Sequence, residues 1–205
     1  MQPSTYNCPQ CGNLLPVNFR HSKLAVCDHC SSTIFLEDDA VRLAGKAAVL
    51  ADLPSLLQLR TPFQYKHTTY TPVGQVRYTY KGGFWDEWWV LDPAGAGRSV
   101  SVHEGDFAFE IPLQWALPFP DIREAQVGQV IKRGTQEWEI TEKNLCTCEG
   151  IRGELPERIL PTERMGYLHL SGNAGALVTL EYPFQGEPAA YQGNWIDPFE
   201  ITVAL

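Results

Sequence analysis

Basic residues are scarce in this chain: lysine and arginine together number 16 of 205 residues, against 24 aspartates and glutamates, for a net charge of −8. Such a field repels phosphate backbones. The scarcity is sharpest at the start, where between residues 1 and 36 the only permanent cations are Arg20 and Lys23, offset by Asp28. Nucleic acid is therefore a disfavoured ligand and a protein partner the expected one, while cationic ligands or basic partner surfaces are compatible with the charge. No stretch approaches the roughly 20 apolar residues that a membrane helix needs, so no bilayer span is expected, and membrane association would be peripheral, through a partner. Gly-rich phosphate loops, HExxH and GxSxG elbows are missing, which removes the familiar catalytic templates. Met1-Gln2-Pro3-Ser4-Thr5-Tyr6 has neither a basic start nor an apolar run. A reducing cytoplasm is the expected compartment, and the six cysteines read as thiols rather than disulfides.

Four of those cysteines carry the sharpest chemical signal. Cys8-Pro9-Gln10-Cys11 and Cys27-Asp28-His29-Cys30 are two CxxC knuckles separated by fifteen residues. Two residues between paired cysteines let each tight turn aim both sulfurs at one centre, and four thiolates saturate a tetrahedral ion. The expected cofactor is one structural zinc per chain, held by Cys8, Cys11, Cys27 and Cys30 in a zinc ribbon over residues 1–36. A segment of that size with few large apolar side chains buries too little to fold alone, so the metal must supply the folding free energy. His29, inside the second knuckle, is expected at the surface because four sulfurs already satisfy the ion.

The remainder reads as mainly β. Thr33-Ile34-Phe35-Leu36 is a short β-prone run closing the ribbon, Glu37-Asp38-Asp39 a polar junction, and residues 37–58 a connector. From residue 59 to 205 the texture is that of strands. Val73 to Tyr80 alternates, Lys81-Gly82-Gly83 turns, and Phe84 to Leu91 returns as a hairpin. Further strands are expected at Arg98–Val102, Phe107–Ile111, Gln129–Ile131, Gln136–Thr141, Gly175–Tyr182 and from Trp195 through Val203, with a loop at Ser171–Gly175. With 15 prolines and 17 glycines, the pattern points to a β-sandwich or paired small β-barrels. Val73-Gly74-Gln75-Val76 recurs as Val127-Gly128-Gln129-Val130, which suggests two related β units.

With these runs laid out, the chain resembles the domain-of-unknown-function family numbered 4178, whose members often carry an N-terminal zinc ribbon. The resemblance rests on Leu59-Arg60-Thr61-Pro62, Tyr70 to Val76, Phe84-Trp85-Asp86-Glu87-Trp88, Gly153-Glu154-Leu155-Pro156, Glu181-Tyr182 and Tyr191-Gln192-Gly193. It departs from the family's pattern at Arg60 and Arg152. The resemblance brings no established catalytic activity; it implies a partner-dependent role in a bacterial assembly with a stress or membrane connection.

Two further constellations bear on function. On an extended strand Trp85, Glu87 and Trp89 share one face while Phe84, Asp86, Trp88 and Val90 share the other, so a strand aromatic on both sides is expected to be covered on both. A carboxylate on such a face is costly unless paired or hydrogen-bonded. Trp85, Glu87, Trp88 and Glu154 thus form a candidate ligand or structural site: Glu87 and Glu154 as a carboxylate pair able to bind a cation or act as acid and base, or Glu87 as a structural lock between β units. Cys146-Thr147-Cys148 places two thiols on one face, half a metal site or a reactive dithiol, though buried small apolar residues are the commoner outcome. The function expected is a non-enzymatic zinc-binding adaptor. The alternatives are a ligand-binding or hydrolytic domain using Glu87 and Glu154, or nucleic-acid binding through the ribbon.

Overall fold

The computed structural model describes residues 4–37, 40–46, 50–51, 53–116 and 118–203. Met1-Gln2-Pro3 of the expected start and Asp38-Asp39 of the expected junction lie outside the described residues. Strands dominate. Five belong to the N-terminal part: β1 (Ser4–Asn7), β2 (Leu14–Val17), β3 (Leu24–Val26), β4 (Ser32–Glu37) and β5 (Ala40–Lys46). β5 pairs with β4, so the ribbon's sheet continues into the segment expected as a connector.

The following strands are β6 (Phe63–Tyr65), β7 (Thr68–Tyr80), β8 (Gly83–Leu91), β9 (Gly97–His103) and β10 (Asp106–Pro112), then β11 (Val130–Arg133), β12 (Gln136–Leu155), β13 (Arg164–Ser171), β14 (Ala176–Pro183), β15 (Ala189–Ile196) and β16 (Ile201–Val203). Eight of them close on themselves. β7-β8-β9-β10 is one antiparallel meander and β12-β13-β14-β15 another; β10 pairs with β15 and β7 with β12, leaving no open edge. The mainly β class thus takes the form of one closed eight-stranded barrel to which two β units each contribute four strands. Each meander is also entered through a short hairpin, β6-β7 in the first and β11-β12 in the second. The repeated Val-Gly-Gln-Val does not mark equivalent places: its first copy lies inside β7, whereas the second precedes and enters β11.

The expected hairpin is present, with Lys81-Gly82 as its turn between β7 and β8. The run expected from Trp195 through Val203 is broken. Asp197 ends the strand by accepting the Phe199 N–H at 2.9 Å, Pro198 opens a single 3₁₀ turn, and Ile201 starts a separate strand beside β6. The expected loop at Ser171–Gly175 is the end of β13 followed by a 3₁₀ turn at Asn173–Gly175.

Both faces of the barrel wall are covered. Outside, Trp88, Val90, Val100 and Phe107 pack under Leu57, Phe63 and Ile201. On the opposite side Ile140, Leu168, Leu170, Val178 and Leu180 pack beneath Trp115, Phe119 and Ile122 of the long β10–β11 connection. An ion pair also lies on this outer surface: Arg77 and Asp86, directly opposite in β7 and β8, form two hydrogen bonds of 2.8 and 2.9 Å, and Arg77 reaches the Ala51 carbonyl. Both side chains are nearly fully buried, where breaking one partner leaves an uncompensated charge. Among the described residues no helix is long and apolar enough to cross a membrane.

The seam that closes the barrel is built on two glycines. Gly74 of β7 and Gly153 of β12 face each other in register. A Cβ on Gly153 would come 2.1 Å from the Val73 carbonyl oxygen, and one on Gly74 would come 1.9 Å from that of Glu154. Gly153 also has φ +68°, a left-handed conformation that L side chains adopt at a cost. Gly153→Ala is expected to destabilise the barrel by about 3 kcal/mol or more, read as a lower urea midpoint. Gly134→Ala, with φ +61° but open space around it, should cost only about 1–2 kcal/mol.

Candidate metal centre and barrel cavity

The two knuckles converge. Each is a tight turn in which an N–H returns to the carbonyl of the first cysteine: Gly12 to Cys8 at 2.8 Å and Ser31 to Cys27 at 2.9 Å. The residue after each second cysteine, Gly12 at φ +76° and Ser31 at φ +57°, reverses the chain. The four sulfurs lie within 4.8 Å of one another, with Cys8 to Cys30 at 3.6 Å and Cys11 to Cys27 at 3.7 Å. A tetrahedron of thiolates about 2.3 Å from a central ion has edges of about 3.8 Å, so the spacing fits a metal held by four sulfurs. The residues expected as ligands are thus brought together, one pair from the β1–β2 hairpin and one from the β3–β4 hairpin.

Glu154 and Glu87 are not brought together. Glu154 turns its carboxylate to the ribbon, where it accepts from the Asn18 N–H (2.9 Å), the Asn18 side-chain amide (2.9 Å), the Phe19 N–H (3.1 Å) and the Ser22 hydroxyl (2.7 Å). It is 3% exposed, and both its oxygens are engaged by these donors. Beside it β12 leaves the barrel and pairs with β3, Glu154 opposite Ala25 and Leu155 opposite Leu24. The structural lock expected of Glu87 is therefore the office of Glu154, and it joins ribbon to barrel rather than one β unit to the other.

Glu87 points into the barrel. It lines a cavity of about 50 Å³ with Tyr78, Trp89, Glu110, Glu181 and Tyr191. A deeper chamber of about 10 Å³ continues past Trp85, His103, Tyr167 and His169 and shares Glu87, Glu110, Thr179 and Glu181 with the first. Trp85 donates its indole N–H to Glu87 at 3.2 Å. Trp88, the fourth residue of the candidate site, faces the outer core, as strand alternation requires. Glu110 is satisfied within the wall, accepting from Ser101 at 2.8 Å and Thr179 at 2.6 Å.

Desolvation sets the electrostatics of this lumen. Burial, then the Glu110 charge, pushes the Glu87 carboxyl up to about 8, against a lowering contribution from Trp85. Burial, then Glu87, holds the Glu181 carboxyl well above the usual carboxylate range. Burial likewise raises Tyr191, and it pushes the Cys148 thiol up to about 12 and the Cys146 thiol higher still. Cys146 and Cys148 both face the barrel core beside Tyr78, Trp85 and Tyr167. Thiols so far from ionising are poor nucleophiles and poor metal ligands.

Several lumen groups were not singled out in the sequence. Glu110, Thr179 and Glu181 alternate with Phe107, Phe109, Val178 and Leu180, a pattern indistinguishable from an ordinary solvent-facing strand side. A second polar group lies at the far end: Tyr167 donates to Glu142 at 2.5 Å, His169 Nδ1 meets the other Glu142 oxygen at 3.1 Å, and Tyr80 shares a 2.6 Å hydrogen bond with His103. The His169 bond, opposed by burial, holds the Glu142 carboxyl below its ordinary value.

Residues 58–198 match the family described as Domain of unknown function (DUF4178), and the chain belongs to that family. No curated protein and no solved structure matches the chain.

Glu87 has a definite signature in stability. Its folded value lies above the unfolded one, so both states are protonated below about pH 4.5 and no penalty exists there. As pH rises the unfolded chain ionises first, and stability falls until the folded carboxyl ionises near pH 8. Glu87→Gln should flatten that slope and stabilise the protein at pH 7 by on the order of 3 kcal/mol, measured by urea unfolding from pH 4.5 to 8. Glu154→Gln should act in the opposite sense, destabilising by about 2–4 kcal/mol because four donors lose a charged acceptor.

Proposed function

We propose that this protein is a non-enzymatic zinc-binding interaction protein in which one structural zinc per chain fastens the ribbon, working as an adaptor within a bacterial assembly. The donor chemistry supports zinc. Four soft thiolates at tetrahedral spacing suit this ion and leave no coordination position for water, so the metal acts as a fastener and not as a Lewis acid.

The observation that carries the adaptor reading is the clamp at Glu154. A ribbon that hung on a connector would present its knuckles in many orientations and lose binding free energy in ordering them. Here four donors of the β2–β3 segment converge on one buried carboxylate, and Leu24 and Phe35 pack into the same core as Val76, Tyr78 and Leu155. The knuckle surface is thereby held rigid on the end of the barrel. Leu14 stands 56% exposed beside the first knuckle and supplies an apolar contact for a protein partner. The alternative in which Glu87 and Glu154 act as a pair loses its geometry, because Glu154 is consumed by the clamp.

Elemental analysis of the purified chain is expected to find about one zinc per chain, released by a chelator with loss of ribbon structure. Cys11→Ser should abolish stoichiometric metal and melt the ribbon while leaving most of the barrel's β signal. Leu14→Asp should retain zinc and fold but lose a specific captured partner; retention of that partner, together with full zinc, would remove the ribbon from the docking role.

A further inference from the structure

We propose that the far end of the barrel is a relay for one-electron oxidation: an electron taken from Tyr80 at the mouth is replaced through Trp85, and the vacancy comes to rest on buried Tyr167, whose proton passes to Glu142. This stands independently of the zinc reading. Trp85 is the hub. Its ring centre lies 4.9 Å from that of Tyr167 and 5.8 Å from that of Tyr80, distances at which aromatic side chains are in contact. Tyr78 stacks on it at 5.1 Å. Trp85 and Tyr167 are buried, at 5% and 1% exposure, whereas Tyr80 is half-buried.

A phenol loses an electron readily when its proton can leave in the same event, to a base already within hydrogen-bond reach. Both tyrosines have one. Tyr80 shares its 2.6 Å hydrogen bond with His103 Nε2, and Tyr167 donates to Glu142 Oε1 at 2.5 Å. Glu142 is equipped to take the proton, because the bond of 3.1 Å between its other oxygen and His169 Nδ1 favours the ionised carboxylate. Trp85 directs its indole N–H at Glu87, 3.2 Å away, so a positive charge on the indole meets an acceptor.

Other polar aromatic groups of this protein are treated differently. The indole N–H groups of Trp88, Trp89, Trp115 and Trp138 and the Tyr182 hydroxyl are buried with no hydrogen-bond partner among the described residues. Tyr191 does have a carboxylate, Glu157, but no ring contact among the described residues joins it to another aromatic side chain. Touching rings and proton acceptors coincide at the far end. The same cluster holds Cys146, Cys148 and Met165, sulfurs that a strong oxidant would carry beyond recovery. A phenoxyl radical, by contrast, is restored by one electron and its own proton.

The oxidant is a diffusible one-electron acceptor of the peroxyl-radical class, reduced to its anion. Tyr80 gives it an electron and passes the phenolic proton to His103. Trp85 then returns an electron to Tyr80, His103 returns the proton, and the indole carries the positive charge with its N–H retained. Tyr167 gives an electron to Trp85 and its proton to Glu142. In sum, one electron has gone from Tyr167 to the oxidant and one proton from Tyr167 to Glu142, leaving a neutral phenoxyl radical.

The full chain, oxidised by photogenerated tris(bipyridine)ruthenium(III) and frozen at once, tests the relay by electron paramagnetic resonance. A tyrosyl signal is expected, narrowed when ring-deuterated tyrosine is incorporated. Tyr167→Phe, which keeps the ring contact and removes the hydroxyl, should lose most of it. Glu142→Gln still accepts a hydrogen bond but takes no proton, and should lose most of it too. Trp85→Phe should do the same while leaving the Tyr167–Glu142 pair in place, and Tyr191→Phe should leave the signal unchanged. If Tyr167→Phe does not fold, Glu142→Gln carries the comparison. No tyrosyl signal in the native chain, a signal kept in full by Glu142→Gln or by Trp85→Phe, or one lost with Tyr191→Phe would each overturn the assignment.

Discussion

Twenty residues of β12 hold the two parts of this molecule in one piece. The strand begins in a hairpin with β11, forms the barrel wall with β13, closes the barrel against β7, and then leaves it to pair with β3 of the ribbon. A strand of this length cannot keep one register with so many partners. Bulges between Ile140 and Glu142 on one side and between Cys148 and Gly150 on the other let it bend from wall to exit. At the exit Gly153 and Gly74 allow two backbones to approach where side chains would collide, and the next residue, Glu154, takes hold of the ribbon. Closure and docking are therefore consecutive events on one strand.

The barrel reverses the usual assignment of polar and apolar faces. In β14, Val178 and Leu180 face outward and are dry because the β10–β11 connection covers them, while Thr179 and Glu181 face inward. The same holds for β10, where Phe107 lies in the outer core and Glu110 in the lumen. With apolar layers outside and the inward faces of β7, β8, β12 and β13 supplying the burial, the inner faces of β10 and β14 can carry carboxyl groups. Their desolvation lowers stability near neutral pH, a cost that a purely structural interior would avoid by using apolar residues.

This reversal also explains what could be read from the sequence. The cysteine quartet was legible because CxxC spacing encodes a local turn, and two such turns need only meet. The β7–β8 hairpin was legible because Lys81-Gly82 separates an alternating run from an aromatic-rich one. Glu110 and Glu181 were not, since alternation shows that a strand has two faces and is silent on which face a closed barrel turns inward. β12 was visible only as Gln136–Thr141: Gly150 and Gly153 are the bulge and close approach that let one strand serve four partners. The role of Glu154 depends on Asn18, Phe19 and Ser22, more than 130 residues away, and no local pattern reports such a meeting.

Ribbon and lumen share a boundary. Leu155 pairs with Leu24 of β3 and also lines the cavity; Pro156, Glu157 and Ile159, immediately downstream, form its rim. Glu157 is held by the Tyr191 hydroxyl at 2.8 Å, and Lys23, whose N–H donates to the Leu155 carbonyl, borders the outer cleft. The rim is thus positioned by the clamp at Glu154 on one side and by β15 on the other. The clamp and the rim are set by adjacent residues of one chain segment. The same stretch of chain that docks the ribbon therefore also forms the mouth of the carboxyl-lined chamber.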